Sequence, residues 1–272
     1  MYSPRVLAFF LVLAFFYQSA SAKDDYTGFG IGGGPAITQF DSNFKITSRD
    51  TGRHIYVDTE GTLGLPSTNG SPILVGSYRF SRKHGVTFSY YDIRRENTVL
   101  NAEIPLDDYT AYGDITIRDN TNLYSFSYAY ELYGDDNSFI LFTAGIYGLD
   151  LGLSLDASGG IRSGEDIIDD SIINKNVGVF APLPLFGLDF WHAYTERWGV
   201  GTKISIVQGA YNGIDAGVFD TTVRARYKLS QHFDVLMGIK FFSADVDIAK
   251  ADYDYEVAYR TDAVFAGIYY RL

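Results

Sequence analysis

Large apolar residues alternate with small or polar residues along most of the chain. Between Leu123 and Leu132, one set of alternate positions contains four aromatic residues, whereas the other contains mainly small or polar ones. Because successive side chains of a β-strand point to opposite faces of the sheet, this period of two predicts a strand with one apolar and one polar face. The segment from Phe219 to Leu229 repeats the pattern. Its polar set includes Asp220, Arg224, Arg226 and Lys228.

The alternation recurs in ten segments, and the connections between them are alternately short and long. The short ones have the polar sequences of tight turns, at 82–85, 134–137, 196–199 and 230–232. The long ones cover 49–71, 97–117, 158–179, 211–216 and 247–258. Tight turns at one end and long loops at the other are typical of outer-membrane β-barrels. The ten predicted strands are Tyr26–Thr47, Pro72–Ser81, Val86–Arg95, Asn120–Tyr133, Phe139–Asp156, Phe180–Tyr194, Val200–Ala210, Gly217–Leu229, Phe233–Val246 and Tyr259–Leu272.

The sequence therefore predicts an all-β fold, an antiparallel up-and-down transmembrane β-barrel of about ten strands, within a range of eight to twelve. An even number of strands places both termini on one side of the membrane, which we expect to be the periplasm. The last strand carries an apolar row that ends at Leu272. This row resembles the C-terminal strand that outer-membrane barrels present to the barrel-assembly machinery, although that pattern prefers an aromatic last residue.

The N-terminus has the three parts of a secretory signal peptide. Arg5 gives a positive start, Val6–Phe16 is an unbroken apolar run, and small residues at a cleavage site end at Ala22. The apolar run is shorter than the roughly 20 residues that a membrane-spanning helix needs. We expect cleavage after Ala22, export in a Gram-negative bacterium, and a single outer-membrane barrel domain over 23–272.

The composition excludes several classes of function. The 272 residues carry a formal net charge of -11, whereas a nucleic-acid-binding surface needs clustered lysine and arginine. The chain has no cysteine, which excludes disulfides, thiolate metal sites, cysteine nucleophiles and the lipid-modified cysteine of a lipoprotein. Hydrophobic residues make up 46% of the chain, which is too many for a disordered protein.

Six short phrases are spread over predicted strands and turns from Leu63 onward. They are Leu63-Gly64-Leu65, Tyr78-Arg79-Phe80, Tyr91-Asp92-Ile93-Arg94-Arg95, Ala181-Pro182-Leu183-Pro184, Arg197-Trp198 and Tyr227-Lys228-Leu229. Together they resemble a large group of proteobacterial outer-membrane β-barrel proteins. The resemblance implies a small barrel in the outer membrane. It implies no activity, because the group has none assigned.

Charged residues inside the predicted strands lie opposite the apolar rows. A Lys or Arg on the lipid face costs about 2 to 4 kcal/mol near the bilayer midplane, so we expect these side chains to face the lumen. The favoured interpretation is a salt-linked, largely filled lumen. The alternative is a narrow solute path lined by the same groups. The predicted lumen-lining charges are Arg79, Glu131, Asp150, Asp189, Lys203, Asp220, Arg224, Arg226, Lys228 and Arg271.

Two further motifs have simple structural interpretations. Gly28–Gly33 contains the letters of a dinucleotide-binding fingerprint, but a β-like stretch follows where that motif needs a helix. We expect these alternate glycines to thin the barrel interior. Asp92, Arg94 and Arg95 close a predicted strand and are expected at the extracellular rim. There they pair with each other or contact lipopolysaccharide phosphate, and mutual pairing is favoured.

Two acidic clusters occur in the predicted long loops. Neither has the glycine-marked turn and terminal glutamate of a calcium-binding loop, so solvated loops are favoured over a cation site. The clusters are Glu165, Asp166, Asp169 and Asp170, and Asp245, Asp247, Asp252 and Asp254.

The alternative function from another class is that of a barrel hydrolase acting on lipid A, phospholipid or peptide. Such enzymes need a histidine beside an acid or a serine at one rim. Of the four histidines, only His54 lies on the long-loop side, and no omptin-type set of paired acids and histidine is identifiable. We therefore predict no catalytic, cofactor-binding or metal-binding residues. The favoured function is a monomeric structural or narrow-pore barrel whose partners are outer-membrane lipid and lipopolysaccharide.

Overall fold

The structure is a computed structural model, and it describes residues 28–50, 52, 54–106, 109–157, 160–163, 166–169, 173–211, 213–249 and 253–272. The predicted signal peptide lies outside these residues. Within them, none of the elements is a helix long and apolar enough to cross a bilayer.

Ten long strands close into a ring in which each strand pairs antiparallel with the strand before and after it. Pairing between the first and the last strand closes the ring, from Gly30 opposite Arg271 to Ser48 opposite Tyr253. The prediction of an all-β, antiparallel up-and-down barrel is confirmed. The strands of the ring are β1 (Gly28–Ser48), β3 (Thr68–Arg79), β4 (His84–Leu106), β5 (Tyr109–Gly134), β6 (Ser138–Ala157), β9 (Ile173–Ala193), β10 (Trp198–Tyr211), β11 (Ile214–Lys228), β12 (Phe233–Ala249) and β13 (Tyr253–Arg271).

Three short strands lie in the connections at one end of the ring. They are β2 (His54–Asp58), which pairs with β1, and β7 (Gly160–Ser163) and β8 (Asp166–Asp169), which extend the sheet beside β5. We call this end the loop end. The opposite end, with the tight turns after β3, β5, β9 and β11, is the turn end.

The strands run further toward the loop end than the sequence predicted. Pairing between β4 and β5 continues from Arg95 opposite Asp119 to Leu106 opposite Tyr109, with one register shift between Val99 and Ala102. The prediction of a long loop over 97–117 was therefore wrong. The exposed Thr98, Glu103 and Asp114 have the polarity of a loop, but backbone pairing continues on both sides of the bulge.

The outer surface carries a broad apolar band at the turn end and in the middle of the barrel. Tyr124, Phe126 and Tyr128 on β5 are exposed, whereas Ser125 and Ser127 between them point inward. In this band, exposed apolar side chains continue around the ring on the other long strands except β4, where the outward Val86, Phe88 and Tyr90 are half-buried. The exposed side chains include Ile37, Leu74, Phe142, Phe186, Ile206, Phe219, Phe241 and Ile268.

The apolar face switches from outside to inside part of the way along the strands. At each switch two apolar residues are adjacent, and the one nearer the turn end points outward, as in Phe186 with 55% exposure beside Leu185 with 1%. We call each such pair of adjacent apolar residues a doublet. The doublets of β9, β10 and β11 are in direct register. The six doublets are Leu123–Tyr124, Ile146–Tyr147, Leu185–Phe186, Ile206–Val207, Val218–Phe219 and Phe241–Phe242.

Beyond the doublets the loop-end half has a packed apolar core inside the ring. Its members have almost no exposed surface, and the outer face at this height is mainly polar, with Phe180 and Leu100 as exposed exceptions. The rings of Tyr147 on β6 and Phe242 on β12 are stacked with their centroids 6.4 Å apart. Because β6 and β12 are four strands apart in the ring, this contact crosses the lumen.

Glycines on the inner face of the turn-end half make room for aromatic rings of the neighbouring strand. A Cβ at Gly30 or Gly32 would overlap the ring of Tyr269, and a Cβ at Gly201 would lie 2.7 Å from the ring of Trp191. The hydroxyl of Tyr269 reaches across β1 to Ser77 Oγ at 2.8 Å. The glycine run of β1 thus serves ring packing in a strand.

Candidate functional site

A chamber of about 670 Å³ occupies the turn-end half of the lumen. The inward residues of the ring form its wall, and Leu123, Tyr147 and Leu185 of the apolar core line it toward the loop end. Gln231 and His232 of an exposed turn also line it, so the chamber extends to the turn end.

Most of the predicted lumen charges lie in this chamber. The inward face of each strand carries them because they occupy the alternate positions opposite the outer apolar band. Those that line the chamber are Arg79, Asp189, Lys203, Asp220, Arg224, Arg226, Lys228 and Arg271. Glu131 is also buried, and its carboxylate accepts a hydrogen bond from Arg79 Nη2 at 3.0 Å.

The prediction for Asp150 was wrong, because this residue lies on the outer face. Asp150 pairs in register with Asn122 and with the outward-pointing Phe180, and its neighbour Leu149 is fully buried inside the barrel. Asp150 lies past the doublet of β6, where the apolar row of the strand faces inward. The polar row therefore faces outward at this height.

Two ion pairs occupy the middle of the chamber. Arg224 Nη2 donates to both carboxylate oxygens of Asp189, at 2.7 and 2.8 Å. Asp220 accepts a hydrogen bond from Lys240 Nζ. Lys240 was missed by the sequence analysis, although it occupies the inward alternation of β12.

A second set of ion pairs lies closer to the turn end. Asp234 is fully buried and contacts two arginines, Arg271 at 2.9 Å and Arg226 at 3.5 Å. The Arg226 guanidinium also lies 4.6 Å from the centroid of the Trp191 ring, in a cation–π arrangement. The sequence analysis did not name Asp234, which is buried behind the chamber wall and pairs with two of its arginines.

Lys203 differs from the other chamber cations. Its charge is attracted by Asp189 and Asp220 and is repelled by Arg224 and Lys240. Among the described residues its Nζ has no hydrogen bond and no ion pair, whereas each of its four charged neighbours has one.

A second cluster of charges lies inside the loop-end half and is centred on Arg95. The Arg95 guanidinium donates to Asp119 Oδ2 at 2.7 Å, to Ser42 Oγ at 3.0 Å and to Glu60. Its plane lies 4.2 Å from the centroid of the Phe40 ring. The sequence analysis expected Arg95 at the rim and did not connect it with Asp119 or Glu60.

The Arg95 cluster fixes the connection between β2 and β3 inside the barrel. Burial alone raises the pKa of the Glu60 carboxyl, but hydrogen bonds from Arg95 and Ser42 outweigh burial and hold that pKa below its usual value. The same connection buries Leu63 and Leu65, and Asn97 Nδ2 donates to the Leu63 carbonyl at 3.2 Å. The segment therefore packs against β4.

The other motifs of the sequence analysis have separate locations. Arg94 pairs with Asp92 at 3.1 Å on the outer face, as the pairing interpretation predicted. His54 is exposed on β2, and His84, His192 and His232 lie at the turn end. No group of three histidine or acidic residues suited to a metal ion occurs in the described part of the chain. Glu165, Asp170 and Asp252 lie outside the described residues.

Comparison with known proteins supports the fold. No family model matches the chain, and no curated protein matches its sequence. The outer membrane protease OmpT from Escherichia coli matches with a TM-score of 0.54 and 11% identity, over 89% of this chain and 97% of OmpT. The outer membrane protein OprG from Pseudomonas aeruginosa matches with a TM-score of 0.38 and 12% identity, over 90% of this chain and 96% of that chain. The likeness to OmpT shows the fold of an outer-membrane β-barrel.

Proposed function

We propose that the chain is an integral outer-membrane protein with a structural role, and that its lumen is closed and does not act as an open pore. The apolar core of the loop-end half carries this proposal. Leu149, Leu183 and Val207 project into the lumen from three strands with at most 1% exposure. The stacked rings of Tyr147 and Phe242 join nearly opposite walls. Side chains packed in this way leave no continuous water path along the axis.

The proposal includes an orientation and a set of partners. The turn end faces the periplasm, and the loop end faces outward. The apolar band contacts membrane lipid, and the charged outer face beyond the doublets lies among lipopolysaccharide headgroups. The protein is a monomer, and the barrel-assembly machinery receives it through β13, whose outer row contains the exposed Val264 and Ile268.

Conductance in a planar lipid bilayer tests the closed lumen. We expect no stable channels from the wild-type protein. The double substitution Tyr147→Ala and Phe242→Ala removes the stack that crosses the lumen and is expected to produce channels, which shows that the assay detects an opening. Stable channels from the wild-type protein would contradict the proposal.

Replacing Arg224 distinguishes a structural lumen from a solute path. Arg224→Ala leaves the Asp189 carboxylate without its bidentate partner, and breaking a buried pair typically costs about 3 to 5 kcal/mol. A structural role predicts a lower temperature for the heat-induced shift in gel mobility, with no conductance. Unchanged stability together with altered conductance would overturn the proposal, because water in an open path would solvate the orphaned charge.

A further inference from the structure

The middle of the chamber carries one positive charge that its neighbours do not neutralise. Arg224 and Asp189 form one ion pair, and Lys240 and Asp220 form another. Lys203 is in direct register with Asp189 and lines the same chamber, where its charge interacts with all four. These five side chains therefore hold three positive and two negative charges.

The two carboxylates near Lys203 are already engaged. Both oxygens of Asp189 accept hydrogen bonds from Arg224, and Asp220 accepts one from Lys240. The Lys203 side chain is half-buried in the chamber wall, and its ammonium group has three donors and no acceptor among the described residues. An anion that enters the chamber supplies the missing acceptor and neutralises the surplus charge.

We propose that the chamber binds a small organic carboxylate, with the carboxylate held by Lys203. Cationic side chains outnumber carboxylates along the chamber wall, so the wall favours an anion. The volume of about 670 Å³ lies within the range of about 300 to 1,000 Å³ that is usual for small-molecule sites. Leu123, Tyr147 and Phe265 at the closed end offer apolar surface to the body of the molecule. This inference goes beyond the proposed function, which gives the lumen a structural role only.

The two tryptophans provide a reporter inside the chamber. Trp191 lines the chamber, whereas Trp198 is exposed on the outer face. In a Trp198→Phe background, all tryptophan fluorescence therefore comes from the chamber. The full-length mature protein in a neutral detergent is titrated with benzoate, with its neutral counterpart benzamide, and with inorganic phosphate. We expect a saturable change with benzoate at concentrations at least about tenfold below those needed for benzamide, since hydrogen bonds to charged groups are the stronger ones. Benzoate should also bind more tightly than phosphate, which has no apolar body to contact the closed end of the chamber.

Substitutions at Lys203 assign the effect to this residue. Lys203→Gln is expected to weaken benzoate binding at least about tenfold, and Lys203→Arg to keep it. Lys45→Gln is the matched control, because Lys45 pairs with Glu256 on the exposed loop-end surface and is expected to leave binding unchanged. Heat-induced gel mobility shows that each variant is folded.

Two outcomes would overturn the inference. One is equal binding of benzoate and benzamide by the protein with Lys203 intact, a result that does not depend on any lysine variant folding. The other is equal binding by the Lys203→Gln and Lys45→Gln variants. These titrations do not measure conductance, so the absence of benzoate binding would not contradict the closed-lumen proposal, which the bilayer experiment tests separately.

Discussion

Arg94 and Arg95 are adjacent on β4 but occupy opposite environments. The Arg95 side chain is 1% exposed and binds Asp119 inside the barrel, whereas the Arg94 side chain is 74% exposed and contacts Asp92 outside it. Neighbours on a strand point to opposite faces, so this difference follows directly from the strand. The two arginines therefore form a natural matched pair for mutagenesis.

Replacing Arg95 is expected to destabilise the barrel far more than replacing Arg94. Arg95→Met leaves Asp119 buried without its partner and frees Glu60, with an expected loss of about 3 kcal/mol. Arg94→Met removes only a solvent-screened surface pair, and little change in stability is expected. Urea unfolding in detergent micelles, followed by tyrosine and tryptophan fluorescence, measures both. Similar losses for the two variants would contradict the buried role of Arg95.

The position of the apolar band is tested by placing one charge at two heights on the outer face of β10. Ile204 lies inside the band, and Gln208 lies on the same face past the doublet of this strand. Ile204→Arg is expected to cost about 2 to 4 kcal/mol in a lipid bilayer and to lower the yield of assembled barrel. Gln208→Arg is expected to change stability by less than about 0.5 kcal/mol. Refolding yield into vesicles gives the comparison, and equal tolerance at both positions would rule out this placement of the band.

A methyl group at Gly30 is expected to disturb the inner wall. Its Cβ would overlap the Tyr269 phenol, so Gly30→Ala should destabilise by about 1 to 3 kcal/mol. A Cβ at Gly70 meets no atom within 4 Å, which makes Gly70→Ala the control with little expected change. The loss at Gly30 should shrink when Tyr269→Ala is present as well, because the overlap is then relieved. A loss at Gly30 that is independent of Tyr269 would refute ring packing as the reason for the glycine.

Glu60 is expected to make stability depend on pH in the acid range. Its pKa is lower in the folded protein than in the unfolded chain, so the stabilisation is complete above the unfolded pKa of about 4.3 and is lost as pH falls through the folded value. Wild-type protein should therefore exceed Glu60→Gln in stability at pH 7, and the gap should close as the pH falls below the unfolded pKa and then through the lower folded one. Asp119 also faces Arg95 but is present in both proteins, so the difference in stability between them measures the contribution of the Glu60 charge. A gap that stays constant over this range would exclude the proposed role of its charge.

The alternation of apolar and polar residues was sufficient to predict the barrel, because every second residue faces the apolar band in the turn-end half of the strands. The same signal places Arg224 and Asp189 on inward positions of β11 and β9, the two strands that flank β10, where the structure has them. It also contained Lys240 and Asp234, which share the inward alternation of β12 with Leu236 and Gly238. The sequence analysis did not name these two residues, although their positions in the alternation predict that they point inward.

The apolar core and the Arg95 cluster were not predicted, for two different reasons. The adjacent apolar residues of each doublet mark the point where the apolar residues change from the outer to the inner face, and this point can be identified in the sequence. The sequence analysis assumed that each apolar row stays on one face, and the prediction for Asp150 was wrong for this reason. Glu60 lies in a connection without periodicity, and its contact with Arg95 depends on how that connection folds back against β4. Only tertiary structure contains that information.

The doublets also have a consequence for assembly. In a barrel whose strands keep one alternation throughout, a slip of two residues between neighbours preserves which side chains meet lipid, so pairing errors of that size are cheap. Here the same slip would carry an inner residue such as Val207 toward the charged chamber, or a polar residue such as Gln208 toward lipid. Because the apolar residues change faces at one height, register shifts by an even number of residues are also energetically unfavourable. Vertical alignment of the strands is encoded in the wall itself, independently of the turns that join them.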